Sequence, residues 1–287
     1  MADLDEHVVL REKTGTCCAL AAAAGRLHLA WTGTDTRVNV MWSADGREFG
    51  GKRTLDHRSS RQERETSGSG PDSTTTTRTV PLSPALAASA EDVYLGWTGT
   101  DRRLNAWALH RGEFGLATLP ETSSEGPALA VRGDELLLAW TGTDRRLNLL
   151  SSTGGSFGTT LTLVETSSWS PAVCAAGSGV AVVWTGTDHH LNLLRSVDGG
   201  WGAPVRLRDR SADAPAVCAY GDGLVVAFTG TDRRLNLLGV GPGGPGTSVR
   251  LDANSSFGPA VCDDDGALTL GWTGTDGRIN VTRVAWG

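Results

Sequence analysis

The chain has 287 residues, with 26 Lys and Arg against 32 Asp and Glu for a net charge of −6, 39% hydrophobic residues and 38 Gly. The acidic balance argues against nucleic acid as the main partner, since phosphate binding needs a basic field or at least a basic stripe. No apolar run reaches the roughly eighteen residues of a membrane-spanning helix, and the glycine content suits a turn-rich globular chain.

Met1 to Leu10 carries Asp3, Asp5 and Glu6, where a secretory signal would carry Lys or Arg and then an apolar stretch. A cytoplasmic protein, or one released without a classical signal peptide, is therefore expected. Val8-Val9-Leu10 reads as a short strand. After it, near-copies of Trp140-Thr141-Gly142-Thr143-Asp144-Arg145-Arg146-Leu147-Asn148 begin at Trp31, Trp97, Trp184, Phe228 and Trp272. The six starts are separated by 66, 43, 44, 44 and 44 residues, one period plus an insertion and then four regular periods. The insertion, Arg61 to Leu82, is polar and of low complexity, and a mobile surface loop is expected there.

The third copy shows what one period holds. Pro127 to Val131 reads as a strand, Gly133-Asp134 as a turn, Leu136 to Thr141 as a second strand, and Gly142 to Arg145 as a turn. Arg146 to Ser151 is a third strand, and Phe157 to Val164 follows Gly154-Gly155 as a fourth. No segment has helical spacing of apolar residues. Four short strands repeated every 44 residues or so is the pattern of an all-β propeller. The last copy stops at Gly287, too early for a fourth strand, yet Leu10 precedes Trp31 by the same 21 residues that separate Leu251 from Trp272. The N-terminal strand should complete the last blade and leave no open sheet edge there. The expectation is one domain over residues 1–287, a six-bladed β-propeller of four antiparallel strands per blade, with 61–82 inserted between blades 1 and 2.

Cys174, Cys218 and Cys262 share one repeat position, which reads as a small buried side chain rather than a disulfide framework, and adjacent Cys17 and Cys18 have no metal-ligand spacing. No metal and no cofactor is expected. Within the motif, Trp140 should fill the space between blades, Gly142 should permit a turn with positive φ, Asp144 should accept N–H groups inside that turn, and Asn148 should bond the backbone of an adjacent turn.

No turn chemistry requires the cation that follows the Asp by two residues. Asp35 with Arg37, Asp101 with Arg103, Asp144 with Arg146, Asp188 with His190, Asp232 with Arg234 and Asp276 with Arg278 repeat the pair. They are candidate ligand-binding residues. Strand order places them on one face with the loops joining successive blades, which adds Glu121, Glu165 and the aromatic Trp169. Cation, carboxylate, hydroxyl and aromatic side chains at a groove form a carbohydrate-binding inventory: bidentate hydrogen bonds to hydroxyl pairs, and stacking on an apolar sugar face.

The hairpins Ser43-Ala44-Asp45-Gly46-Arg47-Glu48-Phe49 and Ser196-Val197-Asp198-Gly199-Gly200-Trp201, and the eroded Arg111-Gly112-Glu113-Phe114, resemble shortened Asp-boxes of sialidase-like six-bladed propellers. That resemblance implies the fold. Sialidase chemistry would need a Tyr nucleophile and an arginine triad, whereas Tyr94 and Tyr220 lie in strand text. The regular blades are more similar to bacterial and fungal propeller lectins, although the residue patterns of the fucose-binding members are not matched. The leading expectation is a multivalent, monomeric, lectin-like carbohydrate-binding propeller, more a binding protein than an enzyme. Its alternatives are a protein-interaction scaffold and an enzyme with one axial site. His189-His190 and Asp263-Asp264-Asp265 supply no catalytic motif.

Overall fold

A computed structural model describes residues 7–67, 73–90, 92–110, 115–197 and 199–286. The described residues form six antiparallel sheets arranged as blades, with the order inner strand, second strand, third strand, outer strand. Blade 3 runs Ala128–Arg132, Glu135–Thr141, Arg146–Thr153, and an outer strand in two pieces, Ser156–Phe157 and Leu161–Thr166, both paired with the third strand. The expected single fourth strand is thus interrupted. Blade 6 is built from Ala260–Asp264, Ala267–Thr273 and Arg278–Val284, and its outer strand is His7–Lys13 from the front of the chain. The closure expected from the 21-residue spacing is present, with Val9 opposite Asn280.

The six inner strands adjoin in a ring, including blade 6 against blade 1. Each hydrophobic cluster spans two neighbouring blades: Trp140 packs with Leu104, Ala106 and Leu119 of blade 2, and Trp272 with Leu237 and Leu251 of blade 5. Alternation along a strand explains this, because opposite faces of each blade meet different neighbours and both must be apolar. Truncating such a buried tryptophan to alanine costs about 3–5 kcal/mol. The five cysteines are free and buried, and burial pushes the Cys18 and Cys174 thiols up to about 12.

The motif turn differs from expectation in one respect. Gly142 does not have positive φ; the left-handed residue is Arg145 (φ 68°), matched by Thr36, Arg102, His189, Arg233 and Gly277. Gly142 is required for space, because a Cβ there would lie 2.7 Å from Asp144 Oδ1 and 2.9 Å from Asn148 Nδ2. The other motif roles are as expected. Asp144 Oδ1 accepts from the Arg146 N–H (3.0 Å), Asn148 Nδ2 donates to the Arg146 carbonyl (2.9 Å), and Thr162 Oγ1 donates to Asn148 Oδ1 (2.7 Å).

Residues 60–81 also depart from the loop expected of them. Ser60–Ser67 and Thr74–Pro81 pair as an antiparallel ribbon, Arg61 opposite Val80 and Glu65 opposite Thr76. Arg61 fastens the ribbon to the propeller by donating to the Ser124 carbonyl (2.9 Å) and by pairing with Glu125. The hairpin after the third strand of blade 1 is organised by Asp45, whose carboxylate takes the Arg47 and Glu48 N–H groups and the Ser43 hydroxyl. Those donors hold its pKa at about 2. Asp198 and Arg111–Phe114, which were expected to form comparable hairpins, lie outside the described residues.

Candidate functional site

Hydrogen bonds running around the axis fix the face that carries the TGTD turns. The first Thr of each motif donates to a carbonyl in the loop of the following blade: Thr32 to Leu82, Thr98 to Glu125, Thr141 to Trp169, Thr185 to Asp213, Thr229 to Phe257 and Thr273 to Thr16, at 2.6–2.8 Å. In return Thr14, Ser123, Ser167, Ser211 and Ser255 donate to the carbonyls of those threonines. The sixth position, Ser59, precedes the inserted ribbon, and its buried hydroxyl has no partner. These bonds lock the turns and the blade-joining loops to one face, as the strand order required.

On that face the predicted Asp residues are occupied first by the turn itself. In all six copies the Oδ1 accepts the N–H of the residue two positions later. For Asp188 this bond from the His190 N–H, aided by the charge of Arg206, lowers the pKa. The cations of the motif lie beside their own turns rather than reaching into a neighbouring blade. Arg37 and Arg146 stand 4.0 Å from Asp35 and Asp144, Arg278 stands 3.6 Å from Asp276, and Arg234 is 2.5 Å from Asp252. All four guanidinium groups are substantially exposed, so these pairs contribute little to stability. His190 Nδ1 lies 3.3 Å from the Leu207 carbonyl. Arg103 and Asp101 share the same turn geometry in blade 2.

Between the turns run the grooves that separate neighbouring blades, and their content was not visible in the motif. Three of them are floored by a motif aromatic, Trp31, Trp97 or Trp272. The outer strand of the preceding blade contributes the residue two positions after its central leucine. Read around the ring, that position holds Glu12, His57, Glu121, Glu165, Asp209 and Ala253.

The grooves differ in what fills them. Between blades 6 and 1, Lys52 pairs with Glu12 at 2.8 Å and sits 5.3 Å over the Trp31 ring. Between blades 1 and 2, the His57 ring stacks 4.8 Å from Trp97 and meets Trp107 edge-on at 5.6 Å. Between blades 2 and 3, Glu121 Oε1 accepts from Thr160 Oγ1 at 3.1 Å, and Oε2 is buried without a donor. Glu121 and Glu165 thus stand at the ends of outer strands rather than in the joining loops where the sequence placed them.

Between blades 5 and 6 the position is Ala253, and an open groove of about 340 Å³ lies beside it. His7, Asp252, Asn254, Trp272, Asp276 and Asn280 line it. The His7 ring lies 5.6 Å from Trp272. Asn280 donates through Nδ2 to the Arg278 carbonyl. The threonine that reaches its counterpart's Oδ1 in blades 1, 2 and 3 is replaced here by Val9. The groove therefore offers two carboxylates, two carboxamides and an imidazole above an aromatic floor. Of the residues singled out in the sequence, it brings in Asp276.

Trp169 lies 5.1 Å from the His189 ring, with its carbonyl held by Thr141. At the corresponding position in blades 3 and 5 stand Glu125 and Asp213. Burial pushes these carboxyls up to about 7 and about 6, with the charge and bonds of Arg61 opposing the shift at Glu125 and the Ala214 N–H opposing it at Asp213. Asp263 and Asp264 end the inner strand at the opposite end of the blade and Asp265 lies in the turn to the second strand, with Asp264 pairing with Arg283 at 2.7 Å. Among the described residues no group of three or more His, Cys, Asp and Glu is placed to hold a metal ion, and no helix is long and apolar enough to cross a membrane.

No protein-family model matches the chain, and no curated protein matches it in sequence. Among solved structures it is similar to a fucose-specific lectin from Aleuria aurantia, with a TM-score of 0.66 and 10% identity over 97% of this chain and 93% of that one. It is also similar to an arginine-to-alanine triple mutant of AofleA from Arthrobotrys oligospora, with a TM-score of 0.68 and 12% identity over 100% and 90% of the two chains. A third likeness is to the BP39L lectin from Burkholderia pseudomallei, with a TM-score of 0.60 and 14% identity over 96% and 79%. At these identities the likeness establishes a shared fold, and the chain is a six-bladed β-propeller whose structural neighbours include fucose-specific and other propeller lectins.

Proposed function

We propose that this chain is a lectin-like, carbohydrate-binding propeller whose sites are the interblade grooves on the face carrying the TGTD turns. The observation that carries the reading is the groove between blades 5 and 6. It is open, of a size for a monosaccharide, and lined by paired carboxylates and carboxamides over a buried tryptophan. Vicinal hydroxyls are recognised by such groups because a carboxylate or amide oxygen accepts from one hydroxyl while an amide N–H donates to the next. The His7 imidazole above Trp272 provides a flat face for the apolar side of a sugar ring.

The motif Asp and Arg side chains form the rim of the grooves, where Asp144 with Arg146, Asp276 with Arg278 and their equivalents are within reach of a glycan that extends beyond one ring. Glu121 stands in this series at the groove between blades 2 and 3, where a carboxylate would be an acceptor for a ligand hydroxyl. Glu165 occupies the corresponding position one blade on. Recurrence of a site around the ring converts weak binding of single sugars into useful avidity for a glycan-bearing surface. A glycan array followed by calorimetric titration tests this. Folded protein that retains no glycan and shows no heat with any monosaccharide would end the proposal.

A further inference from the structure

The six grooves share one backbone frame and differ mainly in a single side chain. That position is the second residue after the central leucine of the preceding blade's outer strand: Glu12, His57, Glu121, Glu165, Asp209 or Ala253. At two of these positions the chain fills its own groove. Glu12 draws Lys52 across Trp31 from the opposite wall, and His57 lies on Trp97 in the place a stacked ligand would take. Where it carries only a methyl group, a groove of about 340 Å³ stands open beside it, lined by His7 and by a Trp272 that is itself buried.

We infer that this position is a gate: Ala253 admits a ligand to the groove between blades 5 and 6, whereas Glu12 with Lys52, and His57, shut the two grooves that follow around the ring. The inference rests on the carbohydrate-binding reading and deepens it, since it makes the valency of the chain a property of six side chains rather than of the repeat count. His7 occupies the place in blade 6 that Lys52 occupies in blade 1, three residues before the central leucine, so the far wall of the open groove is an aromatic ring and not a charged plug. The Lys52 ammonium must leave the Trp31 ring before a sugar can reach that floor, and this occupied space, more than the exposed ion pair, closes the groove in the native chain. The stacked His57 closes its own groove by occupying the aromatic surface itself.

The test uses the full-length chain, titrated calorimetrically with methyl α-L-fucoside, methyl α-D-galactoside, methyl α-D-mannoside and N-acetylglucosamine. The best of these is carried into the variants. Ala253→His, which places in this groove the ring that covers Trp97 in the groove between blades 1 and 2, should weaken the strongest binding by about tenfold or more, whereas Ala253→Ser should bind as the native chain does. Glu12→Ala combined with Lys52→Ala should add one site per chain at unchanged affinity elsewhere. Thermal melting of each variant guards against misreading a folding defect as lost binding. Native-like binding by a folded Ala253→His variant, or unchanged stoichiometry in the Glu12/Lys52 double variant, would overturn the gate while leaving a carbohydrate-binding propeller intact. Absence of binding to all four sugars by the native chain and by the opened variant would overturn both.

Discussion

Substituting Gly142 by alanine probes how the repeated turn is built. The backbone there is not in the left-handed region, so no conformational strain opposes a side chain; the obstacle is local crowding. The new Cβ would lie 2.7 Å from Asp144 Oδ1 and 2.9 Å from Asn148 Nδ2, both well inside normal contact. Either side chain can move only by giving up a bond. Asp144 would lose the Arg146 N–H at 3.0 Å, and Asn148 would lose the Arg146 carbonyl at 2.9 Å and the Thr162 hydroxyl at 2.7 Å.

At about 1 kcal/mol net for each of the three bonds lost, and with about 0.5 kcal/mol returned by the stiffer unfolded chain, Gly142→Ala should destabilise by about 2.5 kcal/mol. Near the melting midpoint that corresponds to a fall of roughly 5 °C. Urea denaturation of the single variant, of Asp144→Ala and of the double variant completes a cycle. If crowding against Asp144 is the cause, Gly142→Ala should cost about 1 kcal/mol less once the carboxylate is gone. A single-variant cost below about 0.5 kcal/mol, or a cost independent of Asp144, would refute the steric reasoning.

Further consequences can be checked with the same material. Thr141→Val keeps the shape but removes one of the two hydroxyls that reach the Trp169 carbonyl, Ser167 Oγ being the other at 2.9 Å, and should cost on the order of 1 kcal/mol, while exposed Thr143→Val should stay within about 0.5 kcal/mol by the same denaturation assay. Glu125 and Asp213 have folded pKa values raised by burial to about 7 and about 6, so the folded state holds extra protons between the ordinary carboxyl range and those values. Their contribution is full below the unfolded pKa and is lost as pH rises through the folded one, so stability should fall on going from pH 5 to pH 8, and Glu125→Gln should flatten that slope. The five cysteines are buried with thiols shifted upward, so a thiol reagent should label none in the native protein and all five after denaturation.

The architecture was legible because it is periodic. Tryptophan, threonine and asparagine recur at a spacing only a four-stranded unit explains, and the matching distances from Leu10 to Trp31 and from Leu251 to Trp272 gave away the closure. Position-specific features were harder to read. The left-handed residue of the turn is Thr36, Arg102, Arg145, His189, Arg233 or Gly277, a set with no shared chemistry, so the neighbouring glycine drew the assignment instead. Within the insertion, Ser60–Ser67 and Thr74–Pro81 pair as a ribbon in which threonines, arginines and glutamates face one another, which leaves no hydrophobic alternation to detect. Glu121 and Glu165 were placed in loops because strand ends in a bulged outer strand are poorly marked by sequence.

The open groove was missed for a geometric reason. Its character depends on Ala253 and Asp252 from one blade and on His7, Trp272 and Asn280 from the next, which meet only when the N-terminal strand closes the ring. The small side chain that opens the groove is also the least conspicuous residue of its series. Sequence comparison of repeats highlights what is shared, and the distinction among grooves lies in what is not.

The most direct test of the account is a crystal structure of the chain soaked with the monosaccharide that binds best in solution. The prediction is density for the sugar in the groove between blades 5 and 6, with its hydroxyls on Asp276, Asn280 or Asn254 and its ring against His7, and no sugar over Trp31 beside Lys52. A sugar bound on the propeller axis, or only on the face opposite the TGTD turns, would contradict it.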